Sequence, residues 1–190
     1  RDNFASPAAT TPDFLSRGRS ERFEYQGDWQ AADNIRAVFG AEHERSRLSD
    51  GFSPATTRYS GAYAQAIVDP VDQVTLTGGV RIDDHKTFGS DVTFSANAVW
   101  RPTSSTIIRA AYGEGFKAPT LFQLFSFFGD PDLQPEVAKS YELGFEQGVL
   151  DNRLRFGATA FQRRTNNMID FDLFFFRYNN IVRSRAKGLE

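Results

Sequence analysis

The chain predicts an all-β fold: an antiparallel up-and-down meander of about nine strands, each able to cross a bilayer as part of a transmembrane barrel. Three observations carry this. Apolar and polar residues alternate with period two in run after run. Short turns and longer loops alternate between the runs, as they do in membrane barrels. No stretch approaches the roughly 18 apolar residues of a membrane helix, and mean hydropathy is only −0.45. Alternating strands average out as polar, so that value fits a barrel.

The elements follow in order. Phe23, Tyr25, Gly27 and Trp29 alternate with Arg22, Glu24, Gln26 and Asp28. Ile35, Ala37, Phe39 and Ala41 alternate with Arg36, Gly40 and Glu42, Val38 being the exception. A run over about 59–68 reads as a strand of unassigned facing. Val74, Leu76, Gly78, Val80 and Ile82 oppose Thr75, Thr77, Gly79, Arg81 and Asp83. Val92, Phe94, Ala96, Ala98 and Trp100 oppose Thr93, Ser95, Asn97 and Arg101. Thr106, Ile108, Ala110 and Tyr112 face away from Ile107, Arg109 and Ala111. Tyr141, Leu143 and Phe145 oppose Glu142, Gly144 and Glu146; Leu154, Phe156, Ala158 and Ala160 oppose Arg155, Gly157 and Thr159. A last run, about 177–190, also reads as a strand.

The short connections are Gln30–Asp33, Asp69–Asp72, Arg101–Ser105 and Gly148–Arg153. The longer ones cover about 47–58, 83–91, 113–139 and 170–176. The opening segment Ser6–Ser20 is rich in Ser, Thr, Pro and Ala and is expected on the long-loop side. A soluble sandwich has no reason to alternate its loop lengths in this way.

Composition excludes several classes. Among 190 residues the net charge is −2, so no strong basic field points to nucleic acid. There is no cysteine, hence no disulfide framework or thiolate metal site. No nucleotide-binding or nucleophile-elbow motif occurs, and no catalytic set emerges. Asp83-Asp84-His85 and Asp130-Pro131-Asp132 lack diagnostic metal spacing, and acidic loop residues are ordinary turn formers. No cofactor and no catalytic residue is expected.

The two faces read as chemistry. The apolar partners suit lipid, with Trp29, Trp100, Tyr112 and Tyr141 near strand ends where amphipathic rings suit an interface. The other face mixes both charges: Arg22, Glu24, Asp28, Arg36, Glu42, Arg81, Asp83, Arg101, Arg109, Glu142, Glu146 and Arg155. Paired or solvated charge is the ordinary reading of each. Phenylalanine reaches 19 residues and concentrates in two loops. Phe125, Phe127 and Phe128 in one, and Phe174, Phe175 and Phe176 in the other, are the candidate ligand-binding residues; Phe116, Phe122 and Phe171 accompany them. Apolar clusters of this size form either a binding surface or a contact between loops.

The order of several short motifs resembles the barrel of TonB-dependent outer-membrane receptors. Gly79-Val80-Arg81-Ile82-Asp83 with Phe88-Gly89 resembles a G-x-R-x-D hairpin followed by F-G. Tyr112 to Thr120 (YGEGFKAPT) resembles Y-G-x-G-F-K-A-P-T. Leu133–Glu136, Tyr141–Gly144, Phe161, Asn166, Met168-Ile169, Tyr178, Asn180 and Gly188-Leu189-Glu190 resemble further elements, in order, to the end of the chain. Gly113 and Gly115 are expected to permit backbone turns, and Pro119 and Pro135 to stiffen a loop crossing. The nearest branch is similar to cobalamin and catecholate-siderophore receptors.

The resemblance implies residues 1–190 as a partial barrel domain, a segment of a 22-stranded transmembrane β-barrel around a plug. The plug domain, its TonB-contacting segment and the remaining strands are expected outside this segment, which alone is expected to be inactive. It implies a Gram-negative outer-membrane receptor for a scarce nutrient, a ferric siderophore or a corrinoid, energised through TonB. Lipid and that small molecule are the expected partners, and no enzyme activity is expected. The alternatives are a passive porin-like barrel and a soluble β-sandwich carbohydrate-binding module.

Overall fold

The computed structural model describes residues 2–4, 14–49 and 54–190. Ten strands form one antiparallel sheet in unbroken chain order. They are β1 (Asp2–Phe4), β2 (Phe14–Ala32), β3 (Ile35–Ser49), β4 (Ala55–Val71) and β5 (Val74–His85). β6 (Gly89–Thr103), β7 (Thr106–Lys117), β8 (Glu136–Val149), β9 (Leu154–Asp172) and β10 (Arg177–Leu189) follow. One helix, α1 (Leu121–Phe125), lies between β7 and β8. The nine expected strands are β2 to β10. The addition is the three-residue β1, too short to show a period. Part of the expected opening loop is strand, since β2 begins at Phe14; residues 5–13 lie outside the described residues.

The strands run further than the alternation suggests. β2 and β9 have 19 residues and β4 has 17, against about 9–11 for a tilted bilayer crossing. The expected loop 83–91 therefore shrinks to residues 86–88, and 170–176 to residues 173–176. The physical reason is that ladder hydrogen bonds ignore side-chain polarity. Where both faces turn polar, the period-two signal fades but the backbone keeps pairing.

Two motif readings change for the same reason. Gly113 and Gly115 are not turn residues: they pair with Ser140 and Ala138 inside β7–β8, and a Cβ at either would meet open space. Gly79-Val80-Arg81-Ile82-Asp83 is no hairpin but lies within β5. The tightest glycine among the described residues is Gly148, where a Cβ would collide with the Asn152 side chain of the β8–β9 turn. That turn holds Leu150, Asp151 and Asn152 all at positive φ (52°, 55° and 63°), a region Asp and Asn tolerate better than Leu.

Register confirms the faces. Phe23, Tyr25, Gly27 and Trp29 pair with His43, Ala41, Phe39 and Ala37, which pair with Ser60, Ala62, Ala64 and Ala66. The same face continues through Ile82, Val80 and Gly78 to Val92, Phe94 and Ala96. It ends as Ala110–Leu143–Ala160 and Ile108–Phe145–Ala158. This face is apolar and open: Phe23 is 75% exposed and Trp29 61%. The Val38 exception simply belongs to the other face, opposite Asp28.

The core of this molecule is elsewhere. Among the described residues the buried hydrophobics are Leu48, Leu121, Leu124 and Leu133. Three of the four come from the segment between β7 and β8. Thr120 caps α1 by a reciprocal exchange with Gln123, and the helix packs on β3 and β4. The long loop is thus folded back across the polar face of the sheet.

Candidate functional site

The polar face is an ion-pair lattice. Glu42 sits between the guanidinium groups of Arg22 and Arg81. Arg81 also pairs with Asp83 at 2.8 Å. The Tyr59 hydroxyl donates to Asp83 at 2.7 Å, and Arg81 lies over the Tyr59 and Tyr63 rings at 5.9 and 6.0 Å. Gly61 leaves the room for it: a Cβ there would come within 2.5 Å of the guanidinium. Asp28 pairs with Arg36, and Arg109 with Glu146 at 2.5 Å. Opposite signs meet in these pairs, as expected for half-buried charge, although Glu24 lies opposite Glu42 and Asp83 opposite Asp91 in register.

At the long-loop end this face opens into a basin of about 560 Å³. Ser20, Glu44, Ser46, Thr57, Tyr59 and His85 line its wall, and residues 118–122 form its lid. Sequence reasoning missed this basin. Its wall residues are separated by up to 65 positions, and only the register of β2–β5 assembles them. His85 bonds Thr57 at 3.1 Å, and Ser20 and Ser46 donate to Glu44. Among the described residues no group of three or more His, Cys, Asp or Glu is placed to hold a metal ion.

The two Phe-rich loops meet beside it. Phe128 meets Phe171 edge-on at 5.9 Å, Phe171 meets Tyr178 at 5.1 Å, and Tyr178 meets Phe122 at 6.3 Å. These contacts join the β7–β8 loop to the β9–β10 hairpin. Polar ties reinforce the join. The Tyr178 amide donates to the Phe128 carbonyl at 2.9 Å. Asn180 accepts from the Gln134 amide and donates to the carbonyls of Gln134 and Asn167. Arg177 pairs with Asp130, whose carboxyl is held below its ordinary range by the Asp132 amide and by Arg177.

The six candidate rings divide. Phe128 belongs to the inter-loop contact. Phe125 is half-exposed on α1. Phe127, Phe174, Phe175 and Phe176 stand out from the tips, Phe174 being 84% exposed. The cluster is therefore an inter-loop contact at its base, with exposed rings beyond it. Phe176 also holds a left-handed backbone (φ 51°), costly for a residue with a Cβ by about 1–2 kcal/mol.

A family model described as TonB dependent receptor-like, beta-barrel, matches residues 2–190. Solved structures share the fold. The siderophore receptor PirA from Pseudomonas aeruginosa superposes with a TM-score of 0.82 at 24% identity, covering 92% of this chain and 36% of that one. The ferric enterobactin receptor PfeA from Pseudomonas aeruginosa gives 0.80 at 18%, covering 92% and 32%. The FrpB iron transporter from Neisseria meningitidis gives 0.75 at 16%, covering 95% and 33%. The chain thus spans about a third of the length of these proteins.

Proposed function

This chain belongs to the β-barrel family of TonB-dependent receptors, a family of receptors rather than enzymes, and from that premise we propose that it forms part of the wall and mouth of an outer-membrane receptor for a ferric siderophore. The whole protein takes up its cargo at the long-loop end, which faces the outside of a Gram-negative cell. A plug carried by the complete protein fills the lumen and is pulled through TonB. The ion-paired polar face is the lumen wall, and the apolar face meets lipid.

The observation that carries the reading is the exposed aromatic rim of Phe127, Phe174, Phe175 and Phe176, on loops that join the basin through the contact of Tyr178 with its lining residue Phe122. Exposed rings have a reason to be there if they stack on a planar, weakly hydrated ligand, and ring pairs prefer edge-on or offset contacts such as those at the base of the rim. Aryl groups of an iron chelate fit that chemistry. The related structures named for siderophore and enterobactin reception support it through a shared fold.

The test uses the complete receptor and its binding of iron-loaded catecholate siderophores, followed by quenching of intrinsic fluorescence. Phe174→Ala with Phe175→Ala should weaken binding by roughly tenfold or more, about 1.4 kcal/mol, with barrel assembly intact. Uptake should also stop when TonB is deleted. Unchanged affinity in the double variant would remove the rim from the site, and saturable binding of a corrinoid instead would change the cargo class.

A further inference from the structure

The basin beneath residues 118–122 has a chemistry that the aromatic rim does not share. Its wall is a set of hydroxyls around one carboxylate. Ser20, Ser46 and Thr57 stand in one register row; Glu44, Tyr59 and His85 stand in the row two residues away. That spacing puts all six side chains on one face of the sheet.

The charge on this wall is negative. Arg19 and Arg47 border the basin, but they lie one residue along from Ser20 and Ser46 and belong to the opposite face. Arg19 pairs there with Glu21 at 2.6 Å. Arg22, opposite Glu44 in register, is held by Glu24 and Glu42. Of the carboxylates and guanidinium groups bordering the basin, only that of Glu44 faces it. An anionic group therefore does not suit this wall, because like charges brought together cost affinity.

Both kinds of hydrogen-bonding group are left open. Ser20 and Ser46 donate to Glu44 Oε1 at 2.7 and 2.6 Å. Among the described residues nothing donates to Glu44 Oε2. The Thr87 amide donates to His85 Nδ1 at 3.2 Å. That nitrogen carries no proton, so the neutral ring holds its proton on Nε2 and donates to Thr57 Oγ1 at 3.1 Å. The Thr57 hydroxyl proton is then free to donate. An incoming group must accept from Thr57 and donate to Glu44. A hydroxyl does both. An ammonium group only donates, and a carboxylate only accepts. The lid supplies the other half: Pro119, Leu121 and Phe122 border the basin with apolar surface. Polar edges beside an apolar face match the surface of a sugar ring. The volume of about 560 Å³ lies within the about 300–1,000 Å³ of ordinary small-molecule sites.

We propose that the basin is a subsite for a neutral hexose carried on the aromatic cargo, so that the receptor takes a glycosylated iron chelate. Rim and basin are continuous. Phe122 meets Tyr178 at 6.3 Å, Tyr178 meets Phe171 at 5.1 Å, and Phe171 meets Phe176 at 6.5 Å. The aryl groups belong at the rim and the sugar beneath the lid. The inference rests on the siderophore reading above, and a sugar probe without iron keeps the two separable.

The test uses the complete receptor. Fluorescence quenching gives its affinity for a ferric catecholate chelate, bare or carrying glucose, galactose or mannose on its rings. At least one glycosylated form should bind roughly tenfold tighter than the bare form. Thr57→Val should bring that ratio to about one, Glu44→Gln should reduce it, and Thr57→Ser should retain it. Methyl glycosides of the same sugars, without iron, should raise the thermal midpoint at millimolar concentration, and Thr57→Val should abolish the rise. No gain from any of the three sugars, or a gain that Thr57→Val and Glu44→Gln both leave intact, would overturn the proposal. If no chelate binds at all, the siderophore reading fails and the methyl glycosides decide the basin, absence of a rise overturning it. If the variants do not assemble, the affinity ratio on the unaltered receptor decides.

Discussion

The sheet and the β7–β8 loop hide apolar side chains in opposite ways. The sheet exposes Phe23, Trp29, Leu76, Phe94 and Leu143 on one open face. The loop buries Leu121, Leu124 and Leu133, Leu133 being only 2% exposed, and its helix packs on β3 and β4. The difference teaches which solvent each part is built for. A loop in water must make its own core. A strand in lipid needs none, because acyl chains cover its side chains, and it must only satisfy its backbone through its neighbours.

The strongest way to break the comparison is to charge the apolar face. Leu76→Arg or Phe94→Arg should each cost roughly 2–4 kcal/mol near the bilayer midplane and block membrane assembly, read by heat-modifiable mobility of the complete protein. Thr75→Arg and Ser95→Arg, one residue away on the polar face, should assemble. Equal damage from both sets would end the assignment of faces.

The loop should respond differently. Leu133→Ala should cost about 2 kcal/mol, the lower end for a buried leucine because the loop can relax. The loss should be local: faster protease cleavage within 118–135, with the barrel still assembled. Global failure of assembly would mean that the loop supports the sheet rather than resting on it.

A smaller effect is expected at Phe176. Phe176→Gly should steady the β9–β10 hairpin by about 1 kcal/mol through relief of its left-handed backbone, while weakening ligand binding by removal of a rim ring. Hairpin amide exchange and affinity should therefore move in opposite senses.

The smallest is the Arg177–Asp130 tie. A partly exposed pair contributes about 0.2–1 kcal/mol. Asp130 has its carboxyl lowered from 3.8 in the folded state, so its contribution is complete above that ordinary value. It drains away as pH falls through the lower folded value. Protease sensitivity of the loop should rise only in that acid range, and Asp130→Asn should abolish the dependence.

Much of the fold was legible because a bilayer-crossing strand writes its environment into every second residue. Phe23 to Trp29 and Leu154 to Ala160 are examples, and their register pairs keep one face throughout. The Phe loops were legible as composition. Which rings would touch was not: Phe128 and Phe171 are 43 positions apart and meet where Tyr178, Asn180 and Arg177 tie the loop to the β9–β10 hairpin. The motif from Tyr112 to Thr120 read as a loop but is mostly strand, since its glycines hide the alternation without breaking the ladder.

The sequence by itself determined the class, the family and the two faces. Local polarity alternation and the order of short motifs are properties of neighbours along the chain. Only the tertiary structure decided which residues stand opposite one another across the sheet, the basin and the meeting of the two Phe-rich loops. Those depend on register and tilt across strands, and a period of two carries no information about how far one strand slips past the next.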